Sequence, residues 1–250
     1  MKKFAYIIFS VVFLLIFGCS EKGPTSPGGG SNNQTPKKLS MKEIQTPSGM
    51  KGTFEQHVLS ARNSINLANS LFGSVSVYVT PPASKFGKIN STDEEWTKTW
   101  KLPNGLSVIM EYSENNSNFG WIIYLDGTNG SSTYNKWKYL EARETVESKE
   151  GFFNIFTPGF DNSWPGTKLN YFNQQNANYK VNILESDVNV NQPVEEHMIT
   201  VKQDNSGDIE LYSYDTGSKI LKQLTTWTAN GTGHWTRYDN EGNVVLEGNF

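Results

Sequence analysis

Apolar side chains recur at alternating steps of four and three along one stretch of the chain: Phe54, Val58, Ala61, Ile65, Ala68 and Phe72. That spacing draws one apolar stripe along an α-helix. It predicts a helix over residues 53–72, opened by the capping-box spacing of Thr53 and Gln56 and closed at Gly73. The opposite face carries Gln56, Asn63, Asn66 and Asn69 and lacks the lysines and arginines of a membrane-surface helix. The stripe is therefore expected to pack on a sheet.

From Ser74 onward the period changes to two. Runs rich in Val, Ile, Thr, Tyr, Phe and Trp begin with SVSVYVT (74–80), WTKTWKL (96–102), LSVIMEY (106–112), FGWIIYL (119–125) and NKWKYLE (135–141), and continue to the C-terminus. Turn signals separate them, among them Pro103-Asn104-Gly105, Asp126-Gly127, Asp215-Thr216-Gly217, Asn230-Gly231 and Asn240-Glu241-Gly242. Such punctuation predicts antiparallel hairpins. With no second helical pattern to supply crossovers, a parallel sheet is excluded.

Residues 106–112 alternate apolar and polar, as a half-buried strand does, whereas 119–125 and 151–156 are apolar on both faces. Something must cover such strands, and the helix is the natural cover. The expected fold is mainly all-β: an antiparallel up-and-down meander forming a barrel or half-barrel, with one N-terminal amphipathic helix packed on it. Tyr214-Asp215-Thr216-Gly217 and Tyr238-Asp239-Asn240-Glu241-Gly242 are weak internal copies, but their irregular spacing excludes a solenoid or propeller.

The N-terminus has another character. Lys2 and Lys3 precede Phe4–Phe17, which is apolar apart from Ser10. As a helix this run spans about 21 Å, short of the roughly 30 Å of a bilayer core, so it reads as the apolar region of an export signal. It ends at Ile16-Phe17-Gly18-Cys19, and Cys19 is the one cysteine in 250 residues. This tetrapeptide resembles the lipobox of bacterial lipoproteins. The resemblance implies a diacylglycerol on the Cys19 thiol, cleavage before Cys19 by signal peptidase II, and residues 1–18 as signal peptide. Ser20, in place of the aspartate that marks inner-membrane retention, implies the outer membrane.

Residues 19–40 are then the lipidated cysteine and a linker rich in Gly, Pro, Ser and Asn, too poor in apolar side chains to fold alone. The linker's mean reach is about 25 Å. The remaining residues, 41–250, suit a single β domain. Without the signal the chain holds 20 basic and 25 acidic residues, a net charge of −5. No basic stripe is present, so nucleic acid is not an expected partner. With Cys19 modified, no disulfide and no cysteine nucleophile are available.

The remaining chemistry is sparse. His57, His197 and His234 show no paired ligand spacing, and each is expected at a surface or edge, so no metal or cofactor is expected. Glu195-Glu196-His197 alternates faces along a strand and is not expected to converge. Asp187, Asn189 and Asn191 mimic the opening of a calcium loop, but Gln192 and Met198 stand where its glycine and glutamate belong, leaving a polar turn. There is no GxSxG and no phosphate loop. A glycan hydrolase needs only two carboxylates, for which Glu94, Glu95, Glu111, Asp126 and Asp161 are candidates, and it is the remotest reading.

All seven tryptophans lie beyond residue 20, and Trp96 with Trp100, like Trp137 with Tyr139, share one side of a strand. Together with Trp121 these aromatics are the candidate ligand-binding residues, suited to stacking on sugars or flanking an acyl chain. The expected function is a non-catalytic, membrane-anchored envelope lipoprotein binding an apolar small molecule or glycan. The alternative is a structural lipoprotein docking on another envelope component. The outline of a helix followed by a half-barrel resembles lipid-carrier lipoproteins of the bacterial envelope. The C-terminal stretch 225–250 resembles the closing hairpins of secreted bacterial β-proteins, without implying an activity. A filled interior would favour docking; a solvent-lined aromatic cavity would favour binding. The lipobox reading predicts that radiolabelled palmitate enters the wild-type chain in a bacterial host and not Cys19→Ser; equal labelling would refute it.

Overall fold

The computed structural model describes residues 37–78, 94–130, 132–157, 164–173 and 178–250. One helix, α1 (Gln56–Tyr78), precedes the strands β1 (Glu94–Lys101), β2 (Ser107–Glu114), β3 (Asn118–Asn129), β4 (Ser132–Thr145), β5 (Gly151–Ile155) and β6 (Thr167–Asn173). The meander continues with β7 (Tyr179–Asp187), β8 (Gln192–Val201), β9 (Gly207–Asp215), β10 (Ser218–Trp227), β11 (Gly233–Tyr238) and β12 (Val244–Asn249). All twelve form one sheet in sequence order, each antiparallel to its neighbours. Strands β1 and β12 end the order and, among the described residues, do not pair with each other, so the sheet is an open half-barrel. Bulges opposite Ile123/Tyr124 and Glu185/Ser186, and one between Leu221 and Gln223, add local twist.

The helix departs from its expected bounds at both ends. Glu55 Oε2 accepts the Val58 N–H at 2.8 Å, so Glu55 rather than Thr53 caps the first turn, and Phe54 is 89% exposed. At the other end α1 runs through Gly73 to Tyr78, taking residues 74–78 that the alternating pattern assigns to a strand. A glycine inside a helix costs only about 1 kcal/mol, which the packing of Leu71 and Phe72 on the core outweighs. The rest of the stripe behaves as its spacing requires, with Val58, Ala61, Ile65 and Ala68 buried.

Alternate strand residues point inward and form the core, from Val108 and Met110 through Trp121, Phe153, Leu169 and Ile183 to Ile209 and Trp227. Helix α1 lies against β8, β9 and β10. The rest of the inner face is crossed by a strap, extended over residues 37–47 and ending in a 3-10 turn, Ser48–Met50, which buries Leu39, Met41, Ile44 and Met50. Its backbone N–H groups are met in turn by the Tyr112 hydroxyl on β2, the Glu144 carboxylate on β4, the Tyr179 hydroxyl on β7 and the Asn69 side-chain oxygen on α1. It ends where the Gly49 N–H donates to the Gly231 carbonyl at 3.1 Å, between β10 and β11. The linker assigned to residues 19–40 is therefore too long at its C-terminal end, because Leu39 already belongs to the core.

Glu144 ties strap and sheet together. It is 1% exposed and accepts from the Ser40 N–H, from Ser40 Oγ at 2.8 Å and from the Tyr171 hydroxyl at 2.5 Å. Burial and this bond to Glu144 push the Tyr171 phenol far above its ordinary range, and burial raises Tyr179 to about 12. Tyr171 fits because its register partner is Gly151, where a Cβ would stand 2.4 Å from the hydroxyl. Gly207 makes the same room for the ring of its partner Trp227. Replacing Glu144 by alanine leaves buried donors without an acceptor, and is expected to cost about 3 kcal/mol in urea unfolding against about 1 kcal/mol for Ser40→Ala. Equal, small losses would mean that the strap is held by its apolar contacts alone.

Candidate functional site

The aromatic positions do not come together as one binding strip. Cys19 lies outside the described residues, as does the Trp96 side chain, although β1 places Trp96 opposite Tyr112. Trp121 is a core residue, 1% exposed, packed edge-on to Phe119 at 5.4 Å between ring centroids and tilted against Tyr112 at 5.9 Å. Trp100 and Trp137 are half-buried and face inward in one cross-strand row, separated by Val108 and Leu125. Tyr139 sits at the bulge opposite Ile123 and Tyr124, which breaks its expected alternation with Trp137, and packs on the core. The indole N–H of Trp137 is buried without a hydrogen-bond partner among the described residues.

A recess of about 160 Å³ opens at one end of β1–β4, lined by Glu95, Ser113, Glu114, Asn115, Asn118, Phe119 and Arg143. It is polar and below the roughly 300–1,000 Å³ of small-molecule sites. Among the candidate carboxylates, Asp161 lies outside the described residues and Glu111 and Asp126 share Lys136. The Lys136 N–H donates to Asp126 at 3.0 Å, and its ammonium pairs with Glu111 at 2.9 Å.

On the outer face, Glu196 accepts from Asn182 and from the Tyr214 hydroxyl, each at 2.5 Å, and pairs with Lys219 at 2.9 Å. Burial works to raise its pKa, but these partners outweigh it and hold the carboxyl below the usual range. The Asp187-Asn189-Asn191 stretch is a polar turn, as expected, with Asp187 accepting from the Asn189 backbone and side chain at 2.9 Å.

The histidines differ from one another. His234 is exposed beside Asn249, and the His57 ring stacks on Trp235 with centroids 4.4 Å apart. His197, expected at a surface or edge, is instead 9% exposed on the inner face. Its register partner on β7 is Ile183, while Glu195, two residues earlier on β8, is paired with Glu185. Glu196 does point to the opposite face, but residues i and i+2 share one, so Glu195 and His197 converge.

Donor atoms of Glu185, Glu195 and His197 lie within 4.8 Å of one another. Nε2 of His197 stands 3.6 Å from Glu195 Oε1, beyond hydrogen-bonding distance, and has no partner among the described residues. Its Nδ1 lies 2.9 Å from Ser64 Oγ on α1, and that hydroxyl also donates to the Ser60 carbonyl at 3.1 Å. Burial lowers the His197 pKa to about 4, raises Glu185, and raises Glu195, which the Glu185 charge pushes further up. The sequence signal for this group was the i, i+2 spacing of Glu195 and His197; the contribution of Glu185 came only with the strand register.

No protein-family model matches the chain, and a comparison with curated proteins yields no match either. The burial pattern separates structural from accessible aromatics. Trp121→Ala is expected to cost about 3–5 kcal/mol in urea unfolding. Trp137→Ala, at a half-buried site, is expected to cost about 1–2 kcal/mol. Similar losses at both positions would place Trp137 in the packed core.

Proposed function

We propose that the chain is an exported bacterial lipoprotein, held to the outer membrane through a lipid on Cys19, and that its β domain is a non-catalytic docking module. The supporting observation is the filled inner face: α1 and the strap occupy it, and Trp121, Phe153 and Tyr171 beneath them are at most 1% exposed. The apolar surface that remains lies elsewhere. Val244, Val245 and Leu246 are 50–55% exposed on β12, whose outer edge has no strand beside it among the described residues. Unpaired backbone groups next to apolar side chains suit an extended segment of another envelope protein, added as a further strand. No helix among the described residues is long and apolar enough to cross a membrane, and attachment through Cys19 requires none.

A second reading, a carrier of a small apolar molecule or glycan, draws on the half-buried pair Trp100 and Trp137 and the unpartnered indole N–H of Trp137. Titration with anilinonaphthalene sulfonate and with chitohexaose separates the two. The docking reading expects no saturable change in tryptophan fluorescence, and a single discrete adduct in the envelope from a photo-crosslinker at Val245. Saturable quenching that Trp137→Ala abolishes would establish the carrier instead, and an adduct between two copies of this chain would identify the partner as itself.

A further inference from the structure

The Ser64 hydroxyl lies 3.1 Å from the Ser60 carbonyl and 2.9 Å from His197 Nδ1. With its hydrogen on the carbonyl it offers the ring a lone pair; Nδ1 then carries the ring hydrogen and donates, and Nε2 is left as a bare lone pair. That atom is fully buried and unpartnered among the described residues, on a histidine that is nine-tenths buried. It faces Glu195 Oε1 at 3.6 Å, another acceptor, and the Glu185 carboxylate, an acceptor again, closes the group within 4.8 Å.

Glu185 and Glu195 are direct cross-strand partners, an arrangement of like charges that is unfavourable unless something positive lies between them. Among the described residues no lysine or arginine pairs with either carboxylate. Three acceptors converge, then, with no donor among them.

We propose that Glu185, Glu195 and His197 bind one divalent transition-metal cation of the zinc type. The imidazole lone pair selects a borderline cation over calcium or magnesium, and two carboxylates neutralise its charge. A tetrahedral zinc site places its donors about 3.4 Å apart, given bonds of about 2.0–2.2 Å, and the present 3.6 Å between Nε2 and Oε1 is already close to that. The Glu195 side chain is 49% exposed and free to rotate the remaining distance inward. Three protein donors leave the fourth position to water. Ser64 orients the imidazole through its far nitrogen, in the manner of outer-shell groups at metal sites, and so couples the site to α1.

The test is calorimetric titration of Zn²⁺ and of Ca²⁺ into the full chain, stripped of metal, in the His234→Ala background so that the exposed His234–Glu247 pair contributes nothing. The expected result is one saturable Zn²⁺ per chain and no saturable Ca²⁺. Glu195→Gln and Glu185→Gln keep the shape of the side chain and should each weaken Zn²⁺ by about tenfold or more, and Ser64→Ala by about 10–100-fold, with circular dichroism unchanged. Absence of saturable Zn²⁺ binding would overturn the proposal. Binding unaffected by both glutamine variants, or Ca²⁺ bound as tightly as Zn²⁺, would overturn it equally.

Discussion

A sheet that never closes has an inner face that must be kept from water by something other than itself. Here residues 37–78 do that work. The helix takes the half of the face under β8–β10 and the strap takes the half from β2 to β7, so neither suffices alone. This division explains the unusual placement of polar groups in the core. An extended strap has no i→i−4 ladder, and its backbone N–H groups must find acceptors on the sheet beneath. Tyr112, Glu144 and Tyr179 are those acceptors, and the glycine at position 151 exists opposite Tyr171 because the Glu144 hub needs a hydroxyl there. The inner face is thus shaped as much by backbone satisfaction as by apolar packing.

The same covering accounts for the site at His197. A histidine on an inward position of β8 is desolvated by α1, and the helix brings Ser64 against it. Nearer the margin of the covered area, Glu195 keeps about half its side-chain surface in solvent. A buried nitrogen and a reachable carboxylate meet only at such a margin: deeper in the core the acids would be excluded, and further out the imidazole would be hydrated.

Much of the fold was legible in the sequence. Period-two runs bounded by glycine and asparagine turns gave eleven consecutive ladders, because each hairpin is a local decision between neighbours. The half-barrel was an alternative in that reading; only the strand order, in which β1 and β12 do not pair with each other among the described residues, selects it. Two local errors have physical causes. Ser74–Tyr78 alternates like a strand but continues a helix already anchored by Leu71 and Phe72, and Phe54 fits the stripe's spacing yet precedes the residue where the helix begins. The strap was illegible because an extended segment has no period, and Leu39 and Met41 look like isolated apolar residues after a linker. At the site, the fault lay in weighing Glu196 with its neighbours: along a strand the informative pair was Glu195 and His197. The expected pairing of Trp137 with Tyr139 failed for a related reason, since the bulge at Tyr139 shifts the face on which the next residue falls.

The order in which the strap is fastened has a mechanical meaning. Tension applied to the chain on the N-terminal side of Lys37 reaches the domain at β2, where Lys37 meets the Tyr112 hydroxyl, the Glu114 carboxylate and the face of Phe119. It reaches Glu144, then Tyr179, then Asn69 and finally Gly231 only as each preceding fastening gives way. Bonds loaded singly resist far less force than bonds sheared together, so the strap peels like a zip while the strand ladders stay unloaded. Pulling from this end would bare the inner face progressively, β2 first and the helix-covered strands last, and slackening would let the same fastenings close in reverse.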